Sequence, residues 1–161
     1  HPELENADYL IGRQLKPEAR KDVIAYFKEI GLKPTAMMDL SDGLSSDIMH
    51  ICTQSGVGCR LFEGEIPLSE DAYNMALKFN LDPVTCALNG GEDYELLFTA
   101  PEGKRIPNAI AGVAVTRIGR MMRLRKGQPQ VTLVKRPNKK GLDKNGHDKL
   151  PLTPQGWEHF C

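Results

Sequence analysis

A short apolar segment that stops at two carboxylates and a glycine constrains the fold of this chain most strongly. Residues 36–44 read Ala-Met-Met-Asp-Leu-Ser-Asp-Gly-Leu, and the positions after them repeat at spacings of three and four. Such spacing is typical of one helix face, shared here by Leu44, Ile48, Ile51, Cys52 and Ser55. Gly56 then stands where a left-handed C-cap is expected. The sequence therefore predicts a strand that runs through an acidic turn into a helix.

The acidic turn admits two interpretations. Ser41 or Asp42 is suited to cap the helix, because a helix start presents unpaired N–H groups and a partial positive charge. One cap needs one carboxylate, however, and Asp39, Asp42 and Asp47 all fall within nine residues. Carboxylates at the end of a strand are hard oxygen ligands that suit Mg²⁺ carrying phosphate, and a helix N-terminus also favours phosphate oxygens. A helix cap and a metal site are both open at this point.

A second informative stretch, residues 89–99, places a pair of glycines and two acids before an apolar strand. Paired glycines permit unusual backbone dihedrals and close backbone approach. Strand alternation puts Asp93 and Glu95 on one face and Glu92 and Tyr94 on the other, so at most one acidic pair can serve one site. Glu92, which is nearest the glycines, is then the better candidate. A tight turn with solvent-facing acids is the alternative.

Length and composition indicate an ordinary globular chain. With 161 residues, of which 40% are hydrophobic and 26% charged, the chain fits one domain with a real core. It has neither an apolar run of about 18 residues nor a signal peptide, so we expect no membrane span and a cytoplasmic location. The cysteines are scattered and lack a C-x-x-C pair, which favours buried or idle thiols over a metal site; they are Cys52, Cys59, Cys86 and Cys161.

Charge is divided unevenly along the chain. Residues 1–100 hold 8 Lys and Arg against 17 Asp and Glu, whereas residues 101–161 hold 13 against 4. The basic part is suited to receive phosphates, another domain or nucleic acid, although a solvated basic face is the simplest reading. It lacks the interleaved aromatic residues typical of nucleic-acid binding. Residues 137–149, rich in Lys, Asn and Gly, are predicted to form a mobile loop.

The remaining elements are predicted from periodicity, caps and turn residues. The predicted helices are 17–30, one that begins at Ser69 and ends near Asn80, 83–88 and 103–111. The predicted strands are 57–62 and 113–118, with a hairpin that pairs 121–125 with 130–134. The last segment carries Trp157, whose ring either docks into a core or stacks on a flat ligand.

Three motifs taken in order resemble the bacterial thiamine-monophosphate kinase family. They are residues 38–44, 90–96 and 156–160, and the ordered set is far more specific than any one motif. The resemblance implies that residues 1–161 are the single C-terminal α/β domain of a larger two-domain enzyme whose N-terminal ATP-binding domain is absent. It also implies an α+β fold, with a mixed β-sheet covered by helices, of the aminoimidazole ribonucleotide synthetase-like superfamily.

The resemblance further implies a function. The family transfers the γ-phosphoryl group of ATP to thiamine monophosphate with Mg²⁺, giving thiamine diphosphate, and its subunits form homodimers. Carried over by position, Asp39 and Asp42 are similar to Mg²⁺ ligands and Ser41 to an ATP contact. Glu92 and Trp157 are similar to substrate-contacting positions. Direct in-line transfer needs no covalent nucleophile from this chain, and the chain alone is expected to be inactive.

Two other function classes are open on the sequence. A sibling ATP-dependent synthetase of the same superfamily would keep the fold and use another acceptor. A non-catalytic module whose basic tail binds nucleic acid is the second, and a strongly salt-dependent affinity would mark it.

Overall fold

A computed structural model describes residues 7–135 and 149–153. The helices in this part of the chain are α1 (Asp8–Leu15), α2 (Lys21–Glu29), α3 (Leu44–Ser55), α4 (Glu70–Lys78) and α5 (Pro83–Asn89). The strands are β1 (Ala36–Asp39), β2 (Val57–Phe62), β3 (Leu96–Thr99), β4 (Ala109–Ile110), β5 (Val113–Ala114), β6 (Gly119–Arg123), β7 (Val131–Val134) and β8 (Lys149–Pro151). A short 3₁₀ turn, Glu63–Glu65, follows β2.

The strands form one mixed sheet and two antiparallel pairs. The mixed sheet has the order β6-β2-β7-β8, in which β2 and β7 run parallel and the other neighbours run antiparallel. Strand β1 pairs with β3, and β4 pairs with β5. Helix α3 packs against β1, β2 and β7. The predicted α+β fold with a mixed sheet covered by helices is therefore confirmed.

The main core lies between α3 and the mixed sheet. The apolar face of α3 predicted from spacing is buried, apart from Ser55, which is exposed at the last turn. Its partners come from the central strands, and the buried apolar residues shared by these elements are Leu44, Ile48, Ile51, Cys52, Cys59, Leu61, Val131 and Leu133. Gly56 ends α3 with φ +64°, as expected for a left-handed C-cap.

A second, smaller core lies under α2. Val23 and Phe27 are buried there, and the rings of Phe27 and Phe98 pack edge to face with their centroids 5.0 Å apart. The helix begins at Lys21 and not at residue 17, because the chain turns just before it, where the Lys21 N–H bonds to the carbonyl of Ala19. Helix α1 was not predicted.

The predicted hairpin over 121–125 and 130–134 is wrong. Strands β6 and β7 do not pair with each other, because β2 lies between them and bonds to both. Gly119 allows the close approach of β6, since a Cβ there would lie 2.3 Å from the carbonyl oxygen of Arg60. Residues 103–111 form no helix, and only Val113–Ala114 of the predicted 113–118 strand pairs.

Two of the cysteine thiols are buried. Cys52 and Cys59 are buried, as predicted, and the hydrogen bond between them together with burial raises the pKa of the Cys59 thiol. Cys86 is half-buried, and Cys161 lies outside the described residues.

Within 7–135 and 149–153, we find no helix with the length and apolar character needed to cross a membrane.

Candidate active site

The acidic turn connects the end of β1 to the start of α3, as the sequence predicted. Asp39 is the last residue of β1, and Leu44 is the first of α3. The N-cap is Gly43, with φ +102°, and no side chain caps the helix. The prediction that Ser41 or Asp42 caps α3 is therefore wrong, because a glycine backbone in an unusual conformation takes that position. The carboxylate of Asp42 is not needed as a cap.

The side chain of Asp47, in the first turn of α3, binds the backbone of the acidic turn. Its Oδ2 accepts hydrogen bonds from the N–H of Ser41 at 3.1 Å and the N–H of Asp42 at 3.2 Å. The residue is 0% exposed. Its Oδ1 has no hydrogen-bond partner among the described residues. Burial raises the pKa of the Asp47 carboxyl, the backbone hydrogen bond from Asp42 opposes this, and the nearby Asp42 charge raises the pKa further.

The motif at residues 90–96 contacts the acidic turn, which belongs to the motif at residues 38–44. The N–H of Glu92 donates to the carbonyl of Ser41 at 2.8 Å, and the N–H of Tyr94 donates to the carbonyl of Leu40 at 2.8 Å. Gly91 packs so closely that a Cβ there would lie 2.3 Å from the Ser41 carbonyl oxygen. The acidic turn and the glycine-acid loop, residues 89–95, are therefore one structural unit.

The glycine-acid loop does not continue strand β3, which begins at Leu96. Glu92 and Tyr94 have φ of +64° and +52°, so strict strand alternation does not hold there, and the face assignment derived from it is wrong. Glu92 is nevertheless exposed next to the acidic turn. Its carboxylate accepts a hydrogen bond from the Nε2 of Gln14 in α1.

Two arginines anchor the other end of the glycine-acid loop. Arg20 binds the Glu95 carboxylate through both Nε, at 2.9 Å, and Nη2, at 2.5 Å. Arg13 of α1 binds the same carboxylate. The Arg20 hydrogen bond lowers the pKa of Glu95, against a smaller opposing effect of burial. Neither arginine nor Gln14 was predicted as part of the site, because all three lie more than seventy residues from the loop.

The carboxylates of Asp39 and Asp42 remain available for a ligand. Within residues 7–135 and 149–153, neither accepts a hydrogen bond or joins an ion pair. No group of three or more His, Cys, Asp and Glu that could hold a metal occurs in the same part of the chain. Mg²⁺ in phosphate-binding sites is commonly held by one or two carboxylates, with waters and phosphate oxygens completing its shell. Two unpaired carboxylates fit that mode. Trp157 lies outside the described residues.

The chain is similar in sequence to curated thiamine-monophosphate kinases. The enzyme of Aquifex aeolicus (strain VF5) is 35% identical over 151 residues, which cover 94% of this chain and 41% of that protein. The enzyme of Escherichia coli (strain K12) is 40% identical over 123 residues, covering 72% of this chain and 35% of that protein. The matched part of this chain thus spans 41% and 35% of the length of these relatives. No protein-family model matches it.

Solved structures show the same relationship. AaThiL complexed with AMPPCP and TMP superposes with a TM-score of 0.70 at 34% identity, over 94% of this chain and 41% of that chain. The hydrogenase maturation protein HypE in complex with ATP, at 21% identity, shares the fold with a TM-score of 0.52. By sequence and by fold, this chain is therefore related to the C-terminal part of the thiamine-monophosphate kinases.

Proposed function

We propose that this chain is the C-terminal domain of a subunit that uses ATP to phosphorylate thiamine monophosphate to thiamine diphosphate. The observation that carries the proposal is the contact between the acidic turn and the glycine-acid loop, through the Ser41 carbonyl and the backbone of Gly91 and Glu92. These are two of the three motifs on which the resemblance rests. A related protein, AaThiL, is complexed with AMPPCP and TMP, which supports both the donor and the acceptor.

In this proposal, the acidic turn serves the phosphates. Asp39 and Asp42 would hold Mg²⁺, which when bound neutralises the charge on the phosphate groups that must approach each other. The Ser41 backbone is already engaged, since its N–H bonds to Asp47 and its carbonyl accepts from Glu92. Its hydroxyl is therefore the group left to contact ATP.

The glycine-acid loop serves the acceptor. Glu92 is exposed beside the turn, and Gln14 restrains its carboxylate. Such a carboxylate is suited to accept a hydrogen bond from a substrate amino group and so to orient it. We propose that Trp157 stacks on the flat substrate ring. Direct in-line transfer between two phosphates depends on positioning and charge neutralisation, so no residue of this chain is required as a covalent nucleophile.

Further parts of the proposal concern the rest of the subunit. We propose an N-terminal ATP-binding domain that completes the nucleotide site, a homodimer of complete subunits, and a cytoplasmic location. Because the proposed N-terminal domain would complete the nucleotide site, we expect this chain alone to have little activity.

Thiamine diphosphate formation by the complete subunit, measured across a Mg²⁺ titration, tests the proposal. Asp42→Asn keeps the size of the side chain and removes its charge, so we expect turnover to fall by about 100-fold, or the Mg²⁺ requirement to rise at least 10-fold. Asp71→Asn is the matched control, because it removes one negative charge from an exposed position on α4. The control should behave like the wild type.

Two outcomes would contradict the proposal. If Asp42→Asn equals Asp71→Asn at every Mg²⁺ concentration, Asp42 is not a metal ligand. If the wild type consumes ATP with another phosphate ester and not with thiamine monophosphate, a sibling synthetase is the correct assignment.

A further inference from the structure

The burial of the Asp47 carboxylate is not explained by packing of the core alone. Its carboxylate is fully buried, and a buried charge is costly unless hydrogen bonds or an opposite charge compensate it. Within the described residues its bonds are to the amides of Ser41 and Asp42, and its Oδ1 has no partner. Both amides precede α3, so they are not part of the helix. The contacts of Asp47 therefore act on the acidic turn.

These contacts restrain the backbone of the acidic turn. One oxygen, Oδ2, accepts from two successive amides, which fixes two adjacent peptide planes. On the other side, the carbonyls of Leu40 and Ser41 accept from the glycine-acid loop. The backbone that carries Asp42 is thus held on both sides, while its carboxylate stays without a described partner.

We propose that Asp47 is a positioning residue for the acidic turn. It fixes the Ser41–Asp42 backbone and places a negative charge next to that backbone, so that Asp39 and Asp42 are positioned to hold a divalent cation. This proposal rests on the proposed role of the acidic turn. Removing a group that hydrogen-bonds to metal ligands and orients them usually changes metal affinity or activity by about 10- to 100-fold. Asp47 touches neither the substrate nor the reacting phosphates in this account.

The test compares Asp47→Asn, Asp47→Ala and a control in the complete subunit. Asn keeps an oxygen that can accept from both amides but loses the charge, whereas Ala loses both. Ser46→Ala is the control, because Ser46 is also buried in α3 and its hydroxyl has no described partner. The readouts are the Mg²⁺ concentration for half-maximal turnover, hydrogen exchange of the amides at residues 41 and 42 measured by mass spectrometry, and the thermal midpoint.

We expect Asp47→Ala to raise the Mg²⁺ requirement by at least about 10-fold and to expose both amides to exchange. Asp47→Asn should keep the amides protected and still raise the Mg²⁺ requirement. Ser46→Ala should alter neither. The proposal is overturned if Asp47→Ala lowers the thermal midpoint while its Mg²⁺ requirement matches that of Ser46→Ala. If the Ala variant does not fold, an unchanged Mg²⁺ requirement in the Asn variant overturns it.

Failure of the proposed function would be distinguishable from failure of this inference. Should the wild type make no thiamine diphosphate, binding of Mn²⁺ followed by calorimetry, together with the amide exchange, still compares Asp47→Ala with Ser46→Ala. Weaker Mn²⁺ binding and faster exchange in the Ala variant alone would support the positioning role without any kinase activity. Equal Mn²⁺ binding in the two variants would overturn it.

Discussion

Gly91 is the single residue on which the contact between the two motifs depends most directly. Since a Cβ at this position would lie 2.3 Å from the Ser41 carbonyl oxygen, Gly91→Ala forces two backbone segments apart. We expect a loss of about 1 to 3 kcal/mol in the free energy of unfolding, measured by urea denaturation, and a larger relative loss of turnover in the complete subunit.

Gly12→Ala provides the comparison for Gly91→Ala. Gly12 lies within α1, and a Cβ there would meet nothing within 4 Å. Because Ala favours helix over Gly, this change should leave stability unchanged or raise it by up to about 1 kcal/mol. Equal effects of the two substitutions would show that the close approach at Gly91 has no energetic role.

The site residues were only partly predictable from sequence. The motif order made Asp39, Ser41, Asp42 and Glu92 candidates, and the structure places all four in or beside one turn. Asp47 belonged to the same acidic group in the sequence, yet its side chain turns inward to the backbone. The turn that it binds enters α3 through Gly43 at φ +102°, a conformation that neither periodicity nor composition specifies.

Strand β2 is the element that joins the mixed sheet, so a cavity in it should be costly. Leu61 is 1% exposed and lies between β6 and β7. Leu61→Ala is expected to lower the free energy of unfolding by about 2 to 5 kcal/mol, measured by urea denaturation. Leu77→Ala, at a position 53% exposed on α4, should change stability by less than about 0.5 kcal/mol. A small loss in both would contradict the central place of β2.

Arg20, at the N-cap of α2, and Arg13, in α1, hold the glycine-acid loop through charge, which gives the fold a pH dependence. Because Arg20 and Arg13 lower the pKa of Glu95 in the folded state, the ion cluster stabilises the fold above the ordinary glutamate pKa of about 4.3. That stabilisation is lost as pH falls through the lowered pKa. The Glu95 side chain is 36% exposed, so solvent screening limits the effect to about 1 kcal/mol.

Acid unfolding curves test this dependence. The wild type should lose more stability than Glu95→Gln between about pH 5 and pH 3. Glu102→Gln, at an exposed loop position, should follow the wild-type curve. Parallel curves for the wild type and Glu95→Gln would mean that the cluster contributes nothing measurable.

Elements with local start and stop signals were predicted well, and those defined by distant pairing were not. The N-cap of α4 at Ser69, the Pro at the start of α5 and the C-cap at Gly56 are all observed. The hairpin over 121–134 failed because a glycine and a proline between two apolar runs favour a turn, whereas β2 separates the two strands in the sheet. No local pattern reports a partner sixty or more residues away.

The molecule as a whole resembles part of a larger enzyme. The order of its motifs predicted the fold class, because three motifs in sequence identify a family more securely than periodicity identifies a sheet. Strand order within the mixed sheet was beyond that reasoning, since it depends on pairings that the motifs do not include. The similarity to relatives confirms the family resemblance over 94% of this chain and 41% of the Aquifex protein.

This chain, purified alone, should fold and yet make no thiamine diphosphate from ATP and thiamine monophosphate. Folding is expected because both hydrophobic cores are built from residues of this chain. Activity is not expected, because the proposed N-terminal domain, which would complete the nucleotide site, is not part of this chain. Circular dichroism and a cooperative urea transition establish folding, and a coupled assay for thiamine diphosphate measures turnover, with the complete Aquifex aeolicus relative as the positive control. Turnover by the folded chain alone would show that the site on this domain is complete, and the proposed N-terminal contribution to it would then be wrong.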